Sequence, residues 1–178
     1  LFDCAGQGRL DVFFLSGAQI DGHGNVNLVA LGDYAQPSVR FPGSFGSAYL
    51  YFVVPRVILF RLEHSRRSLV EQVDFISAPG TSPPGVYRPG GPVALVTGLC
   101  RFDFDRARGG FTLATIHPGH GLEEVRDRTG FDFAVAPNLR QTALPDPETL
   151  ALIRNPVARD LAEVYPSFAN EILGVSPT

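Results

Sequence analysis

Five apolar runs of strand length punctuate this chain, and the sequence between them is broken by glycine, proline and short polar residues. They are Leu10–Leu15, Val26–Leu31, Arg56–Leu62, Val93–Leu99 and Phe111–Ile116, each six or seven residues long. Runs this short suit strands better than buried helices, and their apolar residues are adjacent rather than alternating, as in strands covered on both faces. Helical patterns fall elsewhere. Ser47–Val54 reads as a short helix or strand. Gly121–Arg128 has Glu123 and Glu124 early and Arg126 and Arg128 late, the order that suits the helix dipole. Asp146 stands as an N-cap before Pro147 at the first helical position. Pro156 is expected to interrupt that helix, and a last helix is expected over Arg159–Leu173. Val73–Ile76 reads as a further strand. Asp105–Gly110 reads as a turn, so Val93–Leu99 and Phe111–Ile116 are expected to form a hairpin, with Arg101–Phe104 extending its first arm. The pattern predicts a mixed α/β fold in one domain.

Composition narrows the function classes. With 178 residues and 44% hydrophobic content the chain can bury a core, hiding roughly 70% of the surface it exposes when unfolded. Disorder is excluded as the overall state. No run reaches the roughly 18 apolar residues of a membrane helix, so no membrane association is expected. A net charge of −3 provides no basic field for nucleic acid. All 15 basic residues are arginine, which excludes lysine Schiff-base chemistry and a P-loop lysine. Cys4 and Cys100 are too few for a disulfide framework, and no leader pattern is read at Leu1. A cytoplasmic location is expected. The chain has no methionine and begins at Leu1, so either its N-terminus has been removed or it begins partway through a longer product.

Several signatures fail on inspection. Gly6-Gln7-Gly8-Arg9-Leu10-Asp11 has Asp11 where a dinucleotide fingerprint needs glycine, and it precedes a strand instead of following one. Pro42 replaces the first glycine of a nucleophile elbow around Ser44. His117 and His120 are separated by Pro118 and Gly119, which prevents a shared helix face for zinc. No metal site is predicted. Two segments remain. Gly17–Asn27 places Gln19, Asp21, Asn25 and Asn27 on a loop after a buried strand, where α/β proteins hold ligands; an Asx-stabilised turn accounts for the same residues. Phe41–Ala48 clusters glycine and serine before a possible helix, so its backbone N–H groups can hold an oxyanion; a plain surface loop is the alternative.

The strings DVFFLSGAQIDGHGNVN, FPGSFGSA and RVILFRLEHSRRSLVEQVDFISAPG, followed by GPVALVTGLCRFDFD, LATIHPGHGLEEVRDRTGFDF and LPDPETLALIR, run in order over about residues 1 to 155. Together they resemble the β subunit of family I CoA transferases, in the glutaconate CoA-transferase branch. The resemblance implies a ribose-phosphate-isomerase-like α/β domain over residues 1–178 with a mostly parallel sheet and flanking helices, forming the C-terminal portion of a longer subunit. It implies a heteromer with a related α subunit, and transfer of CoA between an acyl-CoA and a carboxylic acid. Coenzyme A enters as a thioester substrate, and no permanently bound cofactor is expected.

In that family a glutamate attacks the thioester, giving an acyl anhydride and then a glutamyl-CoA thioester, while glycine amides stabilise the oxyanion. The nucleophile's position lies upstream of Asp11–Leu15, outside this sequence. Glu63, Glu71, Glu123, Glu124, Glu148, Glu163 and Glu171 do not match it, so no catalytic residue is assigned. The resemblance instead points to Gln19, Asn25, Gly43, Ser44, Gly46 and Ser47 as residues lining the acyl-CoA cleft. It departs at the loop: where the family reads Gly-Ser-Gly-Gly-Ala-Asn, this chain has Phe45 for a glycine, Ser47 for alanine and Ala48 for asparagine. The steroid-ring-degrading acyl-CoA hydrolases share the fold, and a subunit that only stabilises its partner is a further alternative. Tyr49, Tyr51 and Phe52 are expected to face the α subunit. Arg61, Arg66 and Arg67 read as an ion-pair face, with CoA phosphates as the other possibility.

Overall fold

The structure, a computed structural model, describes residues 1–175. They fall into two compact units, Leu1–Thr142 and the segment from Ala143 onward. Helix α1 (Phe2–Gly6) leads into β1 (Val12–Leu15). Two small antiparallel ribbons follow: β2 (Gln19–Ile20) with β3 (Val26–Asn27), and β4 (Ala30–Leu31) with β5 (Val39–Arg40). Helix α2 (Ser47–Val53) precedes β6 (Arg56–Arg61). Then come β7 (Pro92–Thr97), β8 (Cys100–Asp105), β9 (Gly110–Ile116), α3 (Leu122–Arg128) and β10 (Ala134–Gln141).

Six strands form one sheet in the order β1-β6-β7-β8-β9-β10. The pairs β1–β6, β6–β7 and β9–β10 are parallel, whereas β7–β8 and β8–β9 are antiparallel. Four of the five expected strands enter this sheet. Val26–Leu31 does not: it splits between the two ribbons because the Asn27 carboxamide accepts the backbone N–H groups of Val29 and Ala30 and bends the chain there. The expected hairpin is also corrected. The Thr97 hydroxyl accepts the N–H groups of Leu99 and Cys100 and closes a turn at Gly98. A Cβ on Gly98 would press on the Leu62 carbonyl, 2.5 Å away. Arg101–Phe104 therefore belongs to a strand of its own, and β7, β8 and β9 form a meander. Val73–Ile76 is not a strand; the Asp74 N–H is held by the Gln19 side chain instead of a ladder partner.

Burial on both faces holds only in part. Val57 and Leu59 of β6 are fully buried on one face, while Phe14 and Phe60 on the other are largely exposed. Their rings meet edge to face with centroids 6.5 Å apart. The opposite face carries the core. Strand β8 alternates Cys100, Phe102 and Phe104 inward with Arg101 and Asp105 outward. Phe102 is surrounded by Phe111, Phe131 and Phe133, the last at 5.1 Å between centroids.

The second unit starts at α4 (Pro147–Leu152), where the Asp146 carboxylate accepts the Thr149 N–H at 2.7 Å, as an N-cap should. Pro156 does not interrupt the chain. A wide π-type turn over Ile153–Val157 absorbs it and continues into α5 (Ala158–Val164); widening the turn relieves the clash that a proline ring makes with the preceding turn. The break falls at Tyr165, which leaves the helical conformation (φ −131°, ψ 67°), as a residue before proline disfavours the α region. Helix α6 (Pro166–Phe168) and a π-type turn, Ala169–Leu173, end at Gly174 in the left-handed conformation.

Candidate functional site

The loop after β1 is organised by one buried carboxylate. Asp21 accepts the backbone N–H groups of His23 and Asn25 on one oxygen and the Asn25 carboxamide on the other, all at 3.0 Å. The Asn25 carboxamide oxygen in turn accepts the Gly80 N–H. Gln19 is equally engaged: its oxygen accepts from Asn27 Nδ2 and the Asp74 N–H, and its nitrogen donates to Asp74 Oδ2 at 3.1 Å. Gln19 and Asp21 are buried and Asn25 half-buried. Their polar groups thus fix the loop against residues 74–80, an Asx-type turn made rigid by a second loop.

The glycine loop is more open. Gly43 (φ +108°) and Phe45 (φ +48°) take left-handed backbone conformations. For a residue with a Cβ this costs roughly 1–2 kcal/mol, and Phe45 is the one such residue among those described. Its side chain is nonetheless 87% exposed. The turn is closed by Ser47, whose N–H and hydroxyl both donate to the Ser44 carbonyl. Gly46 lies against Phe2, and a Cβ there would collide with the Phe2 ring. One helical turn on, Tyr51 is fully buried and donates its hydroxyl to the Gly24 carbonyl at 2.7 Å, tying α2 and the glycine loop to the Asp21 loop. Burial raises the Tyr51 pKa and keeps the phenol protonated. This corrects the expected partner face: Tyr51 belongs to the core, Phe52 is half-buried, and Tyr49 alone of the three is exposed.

A second buried polar cluster was missed from sequence. His64 bridges the hydroxyls of Thr97 (2.7 Å) and Thr129 (2.9 Å), with Cys100 Sγ 3.9 Å away. Burial, then the positive charge of Arg128, lowers its pKa to about 4. Burial also pushes the Cys100 thiol up to about 12, which makes it inert as a nucleophile. Between pH 6.5 and about 4 the unfolded chain protonates this histidine and the folded chain does not. Stability is full above pH 6.5 and falls as pH drops through that window. Thermal melts from pH 7 to 4.5 are therefore expected to show a steeper loss for the native chain than for His64→Gln; parallel curves would exclude this role.

The arginine and glutamate candidates are mostly spoken for. Glu63 accepts from Ser65, Arg67 and Arg61, which hold its carboxyl down at about 2. Arg61 also donates to the Gly17 carbonyl, and Arg66 donates to the carbonyls of Arg126 and Asp127 at the end of α3. The three arginines thus serve as internal ties. Glu124 pairs with His120 at 2.9 Å. Glu71, Glu123, Glu148, Glu163 and Glu171 are exposed. His117 bonds Thr142 and the Thr97 carbonyl. Among the described residues no group of three or more His, Cys, Asp or Glu is placed to hold a metal, and no helix is long and apolar enough to cross a membrane.

An Asn/Asp/Gln loop after the edge strand is thus joined through Tyr51 to a left-handed glycine-serine loop. Residues 2–128 match the family described as Coenzyme A transferase, and the chain belongs to that family. It is 35% identical over 161 residues to the 3-oxoadipate CoA-transferase B subunit of Pseudomonas knackmussii, covering 87% of this chain and 62% of that protein. It is also 35% identical over 155 residues to the glutaconate CoA-transferase B subunit of Acidaminococcus fermentans, covering 82% and 56%. The crystal structure of glutaconate coenzyme A-transferase from that organism aligns with a TM-score of 0.71 at 32% identity, over 81% of this chain and 57% of that one. Rhodococcus jostii IpdAB aligns with a TM-score of 0.79 at 30% identity, over 86% and 63%. The chain thus spans about three-fifths of the length of these relatives. The α/β fold with a mostly parallel six-stranded sheet is that of the CoA transferases.

Proposed function

We propose that this chain is the β-type subunit of a heteromeric CoA transferase that moves CoA between an acyl-CoA and a carboxylic acid. Its partner is a related α subunit, the thioester is its substrate, and the pair works in the cytoplasm without a resident cofactor. The observation that carries this reading is the loop Gly43–Ser47 in a chain of this family, turned by two residues with left-handed backbone. Gly43, Ser44, Gly46 and Ser47 line the cleft: backbone N–H groups of the first three stabilise the oxyanion that forms when a carboxylate attacks the thioester carbonyl, and Ser47, whose N–H is held by the Ser44 carbonyl, closes the turn that presents them. The attack breaks the C–S bond as the new acyl C–O bond closes, and the CoA thiolate leaves to be taken up by the activated carboxyl group. Gln19 and Asn25 complete the cleft from the neighbouring loop, which their internal hydrogen bonds hold still. No nucleophile is assigned within this chain.

The similarity to IpdAB, and to the Rhodococcus jostii relative named cholesterol ring-cleaving hydrolase IpdB subunit, supports a second reading, in which the pair hydrolyses its thioester. One experiment separates the two. The chain is reconstituted with its α-type partner and acyl-CoA consumption is followed with and without acetate. Transfer predicts dependence on the acid and no free thiol. Thiol release without acid assigns a hydrolase. Full activity of the isolated chain at micromolar concentration contradicts the heteromer, and an inactive pair assigns a subunit that only stabilises its partner.

A further inference from the structure

Phe45 combines two costs that a surface loop has no reason to bear: a left-handed backbone at a residue with a Cβ, and an aromatic ring that is almost wholly in water. Glycine at this position would remove both. The ring forms one side of an open cleft of about 610 Å³ lined by Phe2, Phe45, Gly46 and Tyr49. Phe2 and Tyr49 meet edge to face at 6.1 Å and make the other side. Among the described residues no charged side chain lines the cleft. Gly46 belongs both to this cleft and to the loop that holds the thioester in the function proposed above, so a group bound here continues directly from the reacting carbonyl.

We propose that this cleft receives the acyl chain and that Phe45 determines its class: an apolar, uncharged acyl group rather than one ending in a second carboxylate. The proposal rests on the glycine-loop reading. A distal carboxylate placed against three aromatic rings sheds part of its water and meets no cation, which disfavours it. An alkyl or ring group buries its surface against the same rings. This departs from the relatives named for glutaconate and 3-oxoadipate, both dicarboxylic acids.

The test compares butyryl-CoA with glutaryl-CoA in the reconstituted pair, reading total thioester loss so that transfer and hydrolysis both count. The native pair is expected to favour butyryl-CoA in kcat/KM by about ten-fold or more, the scale of discrimination an apolar pocket supplies. Phe45→Gly should shrink that ratio several-fold. Phe45→Arg, which keeps the same backbone demand and adds a cation, should move it toward glutaryl-CoA by about ten-fold. A native preference for glutaryl-CoA, or a ratio unchanged in both variants, overturns the proposal while leaving the CoA chemistry standing. So does a Phe45→Arg chain that no longer associates with its partner, since Phe45 is then a subunit contact. Loss of neither thioester with the native pair overturns the underlying function as well.

Discussion

Phe102→Ala is expected to be the most destabilising single truncation in the sheet. The side chain is fully buried at the centre of β8 and touches the rings of Phe111, Phe131 and Phe133, while the His64 imidazole stacks at 6.3 Å. Removing it takes away apolar burial and leaves a cavity that four rings on different elements cannot close together. Such changes cost roughly 3–5 kcal/mol, a large share of a domain's typical net stability. A chain of this size should lose on the order of 10 °C in melting temperature. Denaturant midpoints at constant m-value measure it, and a loss below about 1 kcal/mol would mean that the aromatic cluster is loosely packed.

The largest effect on activity is expected from Gly46→Pro. The native Gly46 backbone (φ −91°) must shift toward proline's φ of about −65°, whereas a residue just before a helix needs no N–H for the helix itself. The substitution deletes one candidate oxyanion donor and disfavours the left-handed conformation of Phe45, because a residue before proline is driven toward extended backbone. Loss of an oxyanion donor costs roughly 10²–10³ in rate, so kcat in the reconstituted pair should fall by about that factor. The proline Cβ must also push the Phe2 ring aside, so some loss of melting temperature is expected, and rates are compared well below the melting temperature of either chain. Native rate and specificity in this variant would remove the loop from the mechanism.

The sheet was legible where burial is written as unbroken apolar runs, as in β6, β7 and β9. Strand β10 was not, because Ala134–Gln141 contains Pro137 and polar residues, and its register to β9 slips between Val135 and Arg140. The alternation in Cys100–Asp105 was plain, but a turn as short as Gly98-Leu99 left no gap to separate it from β7. Of the candidate site, the glycine loop could be read from composition, and the Asp21 turn from its Asn and Gly neighbours. The partners that spend Gln19 and Asn25 internally, Asp74 and Gly80, lie 55 residues along the chain. His64 meets Thr97 and Thr129 only in three dimensions, 33 and 65 residues away. Left-handed backbone at Phe45 runs against its side-chain preference, so only coordinates reveal it.

The central claim is that the thioester binds at the Gly43–Ser47 loop. Hydrogen–deuterium exchange of the reconstituted pair, with and without a slowly turned-over acyl-CoA, tests it most directly. Protection of the peptide spanning residues 41–48 on binding is the predicted result. Tight acyl-CoA binding with unchanged exchange across residues 41–48, and protection confined to other segments, would contradict it.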